Sequence, residues 1–243
     1  MEKTIDTISD IKHVLYINLE YRIDRKQHVE KQLNKIGITS FERFNAIKLP
    51  NGRLGCSLSH LKCLEQAKAS QWEHILIVED DIQFLDPSLF VKQLNTFLSN
   101  HKVWDVLLIG GNVVPPYQPI DSSCIKVSKC QTTTGYLVRS HYYDFLMENI
   151  RAGMNKLIKE PGNHILYAID KYWFQLQEKH SWYLIIPLTV TQREDYSDIE
   201  KRPTNYTPAM IDLDKEAYLR AQRVQLDVNM DKKYKENLGK IKF

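Results

Sequence analysis

An apolar run that ends in three consecutive carboxylates constrains the fold of this chain more than any other segment. Residues 75–78 are apolar and largely β-branched, which is typical of a buried central strand in a parallel or mixed sheet covered on both faces. Glu79, Asp80 and Asp81 follow at the carboxyl end of that strand, the end at which α/β proteins bind ligands. Because clustered carboxylates repel one another and are costly to bury, we expect a cation beside them.

Carboxylate oxygens restrict which cation that is. Mg²⁺ and Mn²⁺ prefer hard oxygen ligands and usually bind through one or two carboxylates together with substrate phosphates. One interpretation of the segment is therefore a divalent metal that holds a diphosphate. The alternative is an acidic turn that caps a helix beginning near Pro87, and these residues alone support the two interpretations equally.

Length and composition are those of a soluble globular α/β chain. The 243 residues are 43% hydrophobic and 26% charged, so we expect one large domain over 1–210 and a charged helix with a Lys-rich tail over 211–243. The net charge of +3 is too small to predict nucleic-acid binding. No apolar run reaches the length of a membrane span and the N-terminus does not have a signal-peptide pattern, so a cytoplasmic location is expected.

The cysteines show no metal-binding or disulfide pattern. Cys56, Cys63, Cys124 and Cys130 have neither CxxC spacing nor an accompanying histidine pattern. The sequence therefore predicts no structural zinc site and no disulfide framework.

Hydrophobic periodicity predicts alternating strands and helices. Strands are expected over 13–18, 41–47, 75–78 and 104–109, with helices over 25–36, 56–70 and 88–98 between them. This order predicts a mostly parallel sheet with helices on both sides. Further strands are expected at 124–127, 136–138 and 183–186 and helices at 142–150 and 165–177, and the turn-rich segment 195–208 is expected to be a mobile loop over the site.

Charged residues follow the first strand at a position where α/β proteins bind nucleotides. The segment is not Gly-rich, which disfavours a dinucleotide site or a P-loop. Arg22 and Arg25 oppose the dipole of the next helix, so phosphate or a site carboxylate is their favoured partner. Asp24 with Gln27 is better explained as a capping box.

Other polar positions are ambiguous when taken singly. Ser57 and His60 lie at the start of the helix over 56–70, where a cap and a structural histidine are the ordinary explanations. Asp170 is surrounded by apolar residues, and partial burial would raise its pKa as a general base requires, although a salt bridge explains it equally well.

Taken in order, these segments resemble glycosyltransferase family 25. That family includes bacterial lipo-oligosaccharide galactosyltransferases and collagen hydroxylysine galactosyltransferases, with related sequences in giant viruses. The similarity spans about residues 13–200. The matching positions are Asn18, Leu19, Arg22, Asp24 and Arg25 (N-L-x-x-R-x-D-R); Gly55, Cys56, Ser59 and His60 (G-C-x-x-S-H); Glu79, Asp80 and Asp81 (E-D-D); Leu108 and Gly110 (L-x-G); Thr133, Gly135 and Tyr136 (T-x-G-Y); Asp170; and Ser197, Asp198 and Ile199 (S-D-I).

The resemblance implies a GT-A-like, Rossmann-related fold and a hexosyltransferase. It implies transfer of galactose or glucose from a UDP-sugar, with Mn²⁺ or in its place Mg²⁺, to a hydroxyl of a glycan or of a hydroxylysine-type protein, with inversion. Lipopolysaccharide biosynthesis is the implied setting for a bacterial member, and the host cytoplasm or the virion for a viral one. A metal-dependent nuclease or phosphatase that uses the same carboxylates is the alternative.

The resemblance also implies roles for individual residues. Asp170 is the implied catalytic base, and the implied metal ligands are Glu79, Asp80, Asp81 and Asp198, with Glu79 alternatively orienting the others. The implied donor-binding residues are Asn18, Leu19, Arg22, Arg25, Ser57, His60, Gly110, Thr134, Gly135, Gln192 and Ser197.

Overall fold

The computed structural model describes residues 5–215. Most of the expected C-terminal helix and Lys-rich tail lies outside the described residues, so the domain division at residue 210 stays a prediction. Within the described part, no helix is both long enough and apolar enough to cross a membrane.

Strands and helices alternate along this part of the chain. The strands are β1 (Val14–Asn18), β2 (Glu42–Asn45), β3 (His74–Glu79), β4 (Ile82–Phe84), β5 (Val106–Val113), β6 (Gln118–Pro119), β7 (Cys124–Lys126), β8 (Cys130–Arg139), β9 (Trp182–Ile185), β10 (Val190–Gln192), β11 (Asp195–Ser197) and β12 (Arg202–Thr204). The helices are α1 (Ile23–Lys35), α2 (Gly52–Ala69), α3 (Pro87–Asn100), α4 (Tyr143–Lys159), α5 (His164–Tyr167), α6 (Ile169–Tyr172), α7 (Phe174–Gln177) and α8 (Thr207–Met210).

One mixed sheet of eight strands organises the molecule, in the order β2-β1-β3-β8-β5-β9-β7-β6. β1 is parallel to β2 and β3, and β5 is parallel to β9. β8 runs antiparallel between β3 and β5, and β7 runs antiparallel between β9 and β6. Two of the eight strands therefore run against the other six, which confirms the predicted α/β class with a mostly parallel sheet.

The core lies on both faces of this sheet, as the apolar run of β3 requires. Ile75 and Ile77 belong to a cluster that includes the inner faces of α2 and α4. Leu76 and Val78 point to the opposite face and belong to a second cluster, with α1 and α3. Successive residues of a strand point to opposite faces, so a strand buried on both sides is continuously apolar.

β5 extends further than the strand predicted over 104–109. The strand continues through Gly110 and Gly111 to Val113, with register shifts against β8 around Gly110. A Cβ atom at Gly110 would lie 2.8 Å from Cγ1 of Val190. The glycine therefore allows β10 to approach the sheet closely and does not mark a strand end.

The single helix predicted over 165–177 is wrong in one respect. The segment forms three short helices, α5, α6 and α7. Ala168 separates the first two with an extended backbone, at φ −58° and ψ 148°. Asp170 consequently lies in the first turn of α6 and not in the middle of a long helix.

Candidate active site

The acidic turn after β3 lies at the edge where β1 and β3 both end. Asn18, the last residue of β1, donates from Nδ2 to Asp80 Oδ2 at 2.8 Å. The turn does not cap α3, because β4 lies between them and Asp86 accepts the cap hydrogen bond from Leu89 N at 2.9 Å. The capping alternative for the acidic run is therefore wrong.

Arg25 joins the two aspartates of this turn. Its Nη1 lies 2.9 Å from Asp80 Oδ1 and 3.2 Å from Asp81 Oδ2. Burial and the neighbouring Glu79 nevertheless raise the pKa of Asp81 to about 7, and burial also raises the pKa of Asp80. Oδ1 of Asp81 is buried and has no hydrogen-bond partner within residues 5–215. One guanidinium thus leaves these two carboxylates incompletely neutralised.

Arg22 binds a second group of acids. It contacts Asp195 and Asp198 at 2.8 Å each and Asp24 at 3.0 Å. The predicted capping box at Asp24 is wrong, because α1 begins at Ile23 without a side-chain cap. The hydrogen bond from Arg22 instead lowers the pKa of Asp24 to about 2. Asp198 pairs with Arg22, and its role as a metal ligand stays a prediction.

The segment predicted to be a mobile loop contains a hairpin held by ion pairs. β11 and β12 pair antiparallel. Asp195 bridges both site arginines, since Arg25 Nε also lies 3.2 Å from its Oδ2. Arg53 of α2 contacts Glu200 at 2.6 Å. Three arginines from the starts of α1 and α2 therefore fix the position of this hairpin.

Glu79 is surrounded by hydrogen-bond donors. Its Oε1 accepts from Thr133 Oγ1 at 2.8 Å and lies 3.4 Å from His60 Nε2, and its Oε2 accepts from Gln192 Nε2 at 3.0 Å. The Sγ of Cys56 lies 3.6 Å away. Although burial opposes ionisation, the hydrogen bonds from His60 and Thr133 lower the pKa of Glu79. This environment favours the orienting role for Glu79 over direct metal binding.

His60 is a fully buried link between this acid and the sheet. Its Nδ1 lies 2.8 Å from the hydroxyl of Tyr136 on β8. α2 packs closely against the loop that follows β2 because Gly55 carries no side chain: a Cβ atom there would collide with the carbonyl oxygen of Ile47. The G-C-x-x-S-H motif therefore supplies both the glycine that allows this packing and the histidine that contacts Glu79 and Tyr136.

Asp170 is held by a strained backbone segment. Its Oδ2 accepts from the backbone N–H of Thr132 at 3.0 Å. Thr132 has φ +74°, in the left-handed region that favours glycine. Burial raises the pKa of Asp170 even with this hydrogen bond, which opposes the rise. Its direct partner is a backbone donor, so the salt-bridge explanation for this acid is not needed.

The hydroxyl of Tyr206 is influenced by acids of the turn after β3, of α6 and of the hairpin. Burial raises the pKa of its hydroxyl, and Glu200, Asp81 and Asp170 raise it further. The charges of Asp81 and Asp170 thus both influence Tyr206. Sequence reasoning missed Tyr206 and Thr132, because neither carries a charge or belongs to a recognisable motif.

The other predicted donor-binding residues have partners within the chain. Gly110 and Gly135 are buried and paired across β5 and β8. The Leu19 carbonyl accepts from Arg22 N at 2.9 Å. Their donor-binding roles stay predictions. Three hydroxyls make local hydrogen bonds. Ser57 donates to the Arg53 carbonyl at 2.9 Å, and Thr134 donates to the Thr132 hydroxyl at 3.1 Å. The Ser197 hydroxyl accepts from Glu200 N at 3.1 Å.

Two curated relatives are similar in sequence to this chain. Proteins described as "Glycosyltransferase 25 family member" from Anopheles gambiae and Aedes aegypti are each 24% identical to it, over 205 and 206 residues. The alignments cover 71% of this chain and 33% and 32% of those proteins. The chain thus spans about a third of the length of these relatives.

Solved structures with a similar chain path have low sequence identity. A197 from STIV has a TM-score of 0.42 at 11% identity, covering 79% of this chain and 92% of that one. A glycosyltransferase involved in glycosylation of the major capsid of PBCV-1 has 0.37 at 11%, covering 72% and 91%. With TM-scores below 0.5, these likenesses support no statement about activity.

A family model gives the direct assignment. The model described as "Glycosyltransferase family 25 (LPS biosynthesis protein)" matches residues 48–171, which is just over half of the 243 residues. The matched segment contains Glu79, Asp80 and Asp81 and reaches Asp170. The chain belongs to glycosyltransferase family 25.

Proposed function

We propose that this family 25 member transfers a hexose, galactose or glucose, from a UDP-sugar to a hydroxyl of a glycan or of a hydroxylysine-type protein, with Mn²⁺ and with inversion. The observation that carries the proposal is the buried Oδ1 of Asp81, which has no hydrogen-bond partner among the described residues and lies in the acidic turn. Family membership disfavours the nuclease or phosphatase alternative.

The residues of the acidic turn fit a divalent cation. Asp80 and Asp81 offer hard oxygen ligands, and the unpartnered oxygen of Asp81 is available for coordination. The raised pKa of Asp81 indicates that the site has too little positive charge for two ionised carboxylates. Asp80 and Asp81 would hold the ion, with Glu79 orienting them. When bound, Mn²⁺ supplies Lewis-acid stabilisation of the charge that develops on the departing diphosphate.

Arg22 and Arg25 order the donor side of the proposed site. Arg25 keeps Asp80 and Asp81 together, and Arg22 and Arg25 both hold Asp195 of the hairpin. Guanidinium groups bind phosphate oxygens in a bidentate manner. A bound diphosphate would therefore compete with Asp195 for these two guanidinium groups.

Asp170 acts on the acceptor. A single displacement with inversion needs a base to remove the proton from the attacking hydroxyl, and it needs no covalent intermediate. The raised pKa of Asp170 moves the carboxylate toward the basicity that such a base requires near neutral pH. The Thr132 N–H fixes the orientation of the carboxylate.

A donor panel tests the proposal. The protein is incubated with UDP-galactose, UDP-glucose and other sugar nucleotides, with Mn²⁺, Mg²⁺ or a chelator, and release of UDP is measured. We expect release from a UDP-hexose that depends on a divalent ion and increases with a hydroxyl acceptor. Absence of release with every donor, or release insensitive to chelation, contradicts the proposal. Nucleic acid and phosphomonoesters in the same panel test the phosphatase and nuclease alternative.

A further inference from the structure

A second cluster of metal-ligating side chains lies outside the candidate active site. His101 follows α3, Asp121 lies in the turn between β6 and β7, and Cys124 begins β7. His101 Nε2 is 2.8 Å from Asp121 Oδ2 and 3.8 Å from Cys124 Sγ. All three donor atoms lie within 4.8 Å of one another. Two separate chain segments, the end of α3 and the turn that leads into β7, thus meet beside the β7-β6 edge of the sheet.

Surrounding contacts hold each of these groups in place. The other carboxylate oxygen of Asp121 accepts from Ser123 N at 2.7 Å, Ser123 Oγ at 2.6 Å and Cys124 N at 3.2 Å, so Oδ2 is left to face His101. The His101 ring lies 4.8 Å from the ring of Phe97. Cys124 is fully buried. Such outer contacts orient metal ligands and raise the affinity of a site.

We propose that His101, Asp121 and Cys124 form a Zn²⁺ site that fastens the end of α3 to β7. The usual zinc bond lengths place tetrahedral nitrogen and sulfur ligands about 3.6 Å apart, and nitrogen and oxygen ligands about 3.4 Å apart. The corresponding distances here are 3.8 Å and 2.8 Å. Opening the His–Asp hydrogen bond by about 0.6 Å thus accommodates the ion.

The donor set selects zinc over the metal proposed for the active site. A thiolate and an imidazole suit Zn²⁺, whereas Mn²⁺ and Mg²⁺ prefer oxygen ligands. On binding, the Cys124 thiol loses its proton to solvent and a sulfur–zinc bond forms. The side chains of His101 and Asp121 keep 22% and 31% exposure, so water can fill the fourth position.

The sequence analysis predicted no structural zinc because the ligand spacing is irregular. His101 and Asp121 are distant in sequence, and the first lies after a helix while the second lies in a turn between strands. Only the packing of α3 against this edge of the sheet brings them together. Spacing rules detect ligands on one hairpin or one helix, and they do not detect this arrangement.

A different cluster, Cys56 with His60 and Glu79, is the competing thiol site. It belongs to the candidate active site, and its groups are already engaged. Glu79 binds Thr133 and Gln192, and His60 contacts Tyr136. Any test must therefore distinguish Cys124 from Cys56.

Cobalt titration provides the test. The full chain is treated with chelator, freed of it, and titrated with Co²⁺, while the thiolate-to-cobalt charge-transfer absorption is recorded; Zn²⁺ is then added to displace Co²⁺. We expect one thiolate-bound Co²⁺ per chain, replaced by Zn²⁺. Cys124→Ala should abolish the absorption, and His101→Gln should weaken binding by at least about tenfold. Cys63→Ala is the matched control, since it removes another buried thiol without touching the cluster.

Two results overturn the proposal. One is the absence of thiolate–cobalt absorption in the wild-type chain. The other is an absorption that persists in Cys124→Ala and disappears in Cys56→Ala. If Cys124→Ala does not fold, the cobalt titration of His101→Gln tests the site instead, because the partly exposed His101 side chain can be replaced with less damage to the core. Zn²⁺ should raise the melting temperature of the wild type more than that of His101→Gln, whereas Mn²⁺, which is proposed to bind at the acidic turn, should raise both equally. An equal rise with Zn²⁺ in the two proteins contradicts the site.

Discussion

Glu79 and Asp81 lie two residues apart, yet their carboxylates are in opposite electrostatic situations. Glu79 accepts hydrogen bonds from Thr133 and Gln192 and lies beside His60. Burial opposes its ionisation, but His60 and Thr133 lower its pKa. Asp81 shares one guanidinium with Asp80, and burial raises its pKa to about 7. One oxygen of Asp81 has no partner within the described residues.

The two acids differ in whether their carboxylate oxygens already have hydrogen-bond donors. A carboxylate surrounded by fixed donors is stabilised as an anion and gains little from a further ligand. A carboxylate that burial holds near neutrality changes state when a cation or a proton donor arrives. Asp170 belongs with Asp81 in this respect, because burial raises its pKa too. In the proposed mechanism, Asp81 and Asp170 are the acids that change state, and Glu79 keeps its charge and orients its neighbours.

The largest effect is expected from Asp170→Asn. The amide keeps the size of the side chain and can still accept from Thr132 N, but it does not take up a proton from the acceptor. We expect sugar transfer to fall by roughly 10²–10⁴-fold, with donor binding little changed. Kinetics with saturating donor and varied acceptor measure this loss. A variant with near wild-type kcat would show that another group is the base.

Asp81→Asn is expected to cost slightly less. Loss of one metal-binding carboxylate should reduce UDP release by roughly 10²–10³-fold, the usual effect of removing one electrostatic contact to a developing charge. Titration with Mn²⁺ should show a much higher metal requirement. Asp144→Asn serves as the control, because Asp144 is an exposed residue paired with Lys68 on the surface. Equal activity of the two variants would remove Asp81 from the metal site.

Glu79→Gln tests whether Glu79 orients the metal ligands or binds the metal itself. We expect a loss of about 10–100-fold, typical of a residue that orients ligands. We also expect lower stability, because His60 and Thr133 would lose an ionised acceptor, at a cost of about 1–3 kcal/mol. Thermal melting and Mn²⁺ titration measure the two effects. A loss as large as that of Asp81→Asn, with unchanged stability, would make Glu79 a direct ligand.

Much of the fold follows from the chain's local pattern. The buried β3 strand was predictable because four consecutive apolar residues are typical of a strand in a sheet that is covered on both faces. The break at Ala168 was not, because 165–177 has a helical pattern throughout and only tertiary packing places Asp170 beside Thr132. The strand expected over 104–109 continues to Val113, and the sequence does not reveal the close approach of Val190 that requires a glycine at position 110.

The candidate site was predictable as a set of residues but not as a set of contacts. Glu79, Asp80 and Asp81 form one acidic run in the sequence, and strand alternation alone did not show that Glu79 would meet donors from α2, β8 and β10. The pairing of Arg22 with Asp195 and Asp198 links positions more than 170 residues apart. Such long-range pairs depend on the topology of the sheet and leave no local signal.

The smallest expected effect concerns stability and pH. Because the pKa of Asp170 is raised in the folded chain, its contribution to stability is fully present below its unfolded pKa and is lost as pH rises through the folded value. Asp170→Asn does not ionise, so the difference in melting temperature between variant and wild type should shift in the variant's favour as pH rises from about 4, the usual pKa of an unfolded aspartate, through the raised folded value. Melts of chelator-treated protein across that range, beside Asp144→Asn, measure the difference. A gap that is independent of pH would mean that Asp170 is not under the burial that the structure shows.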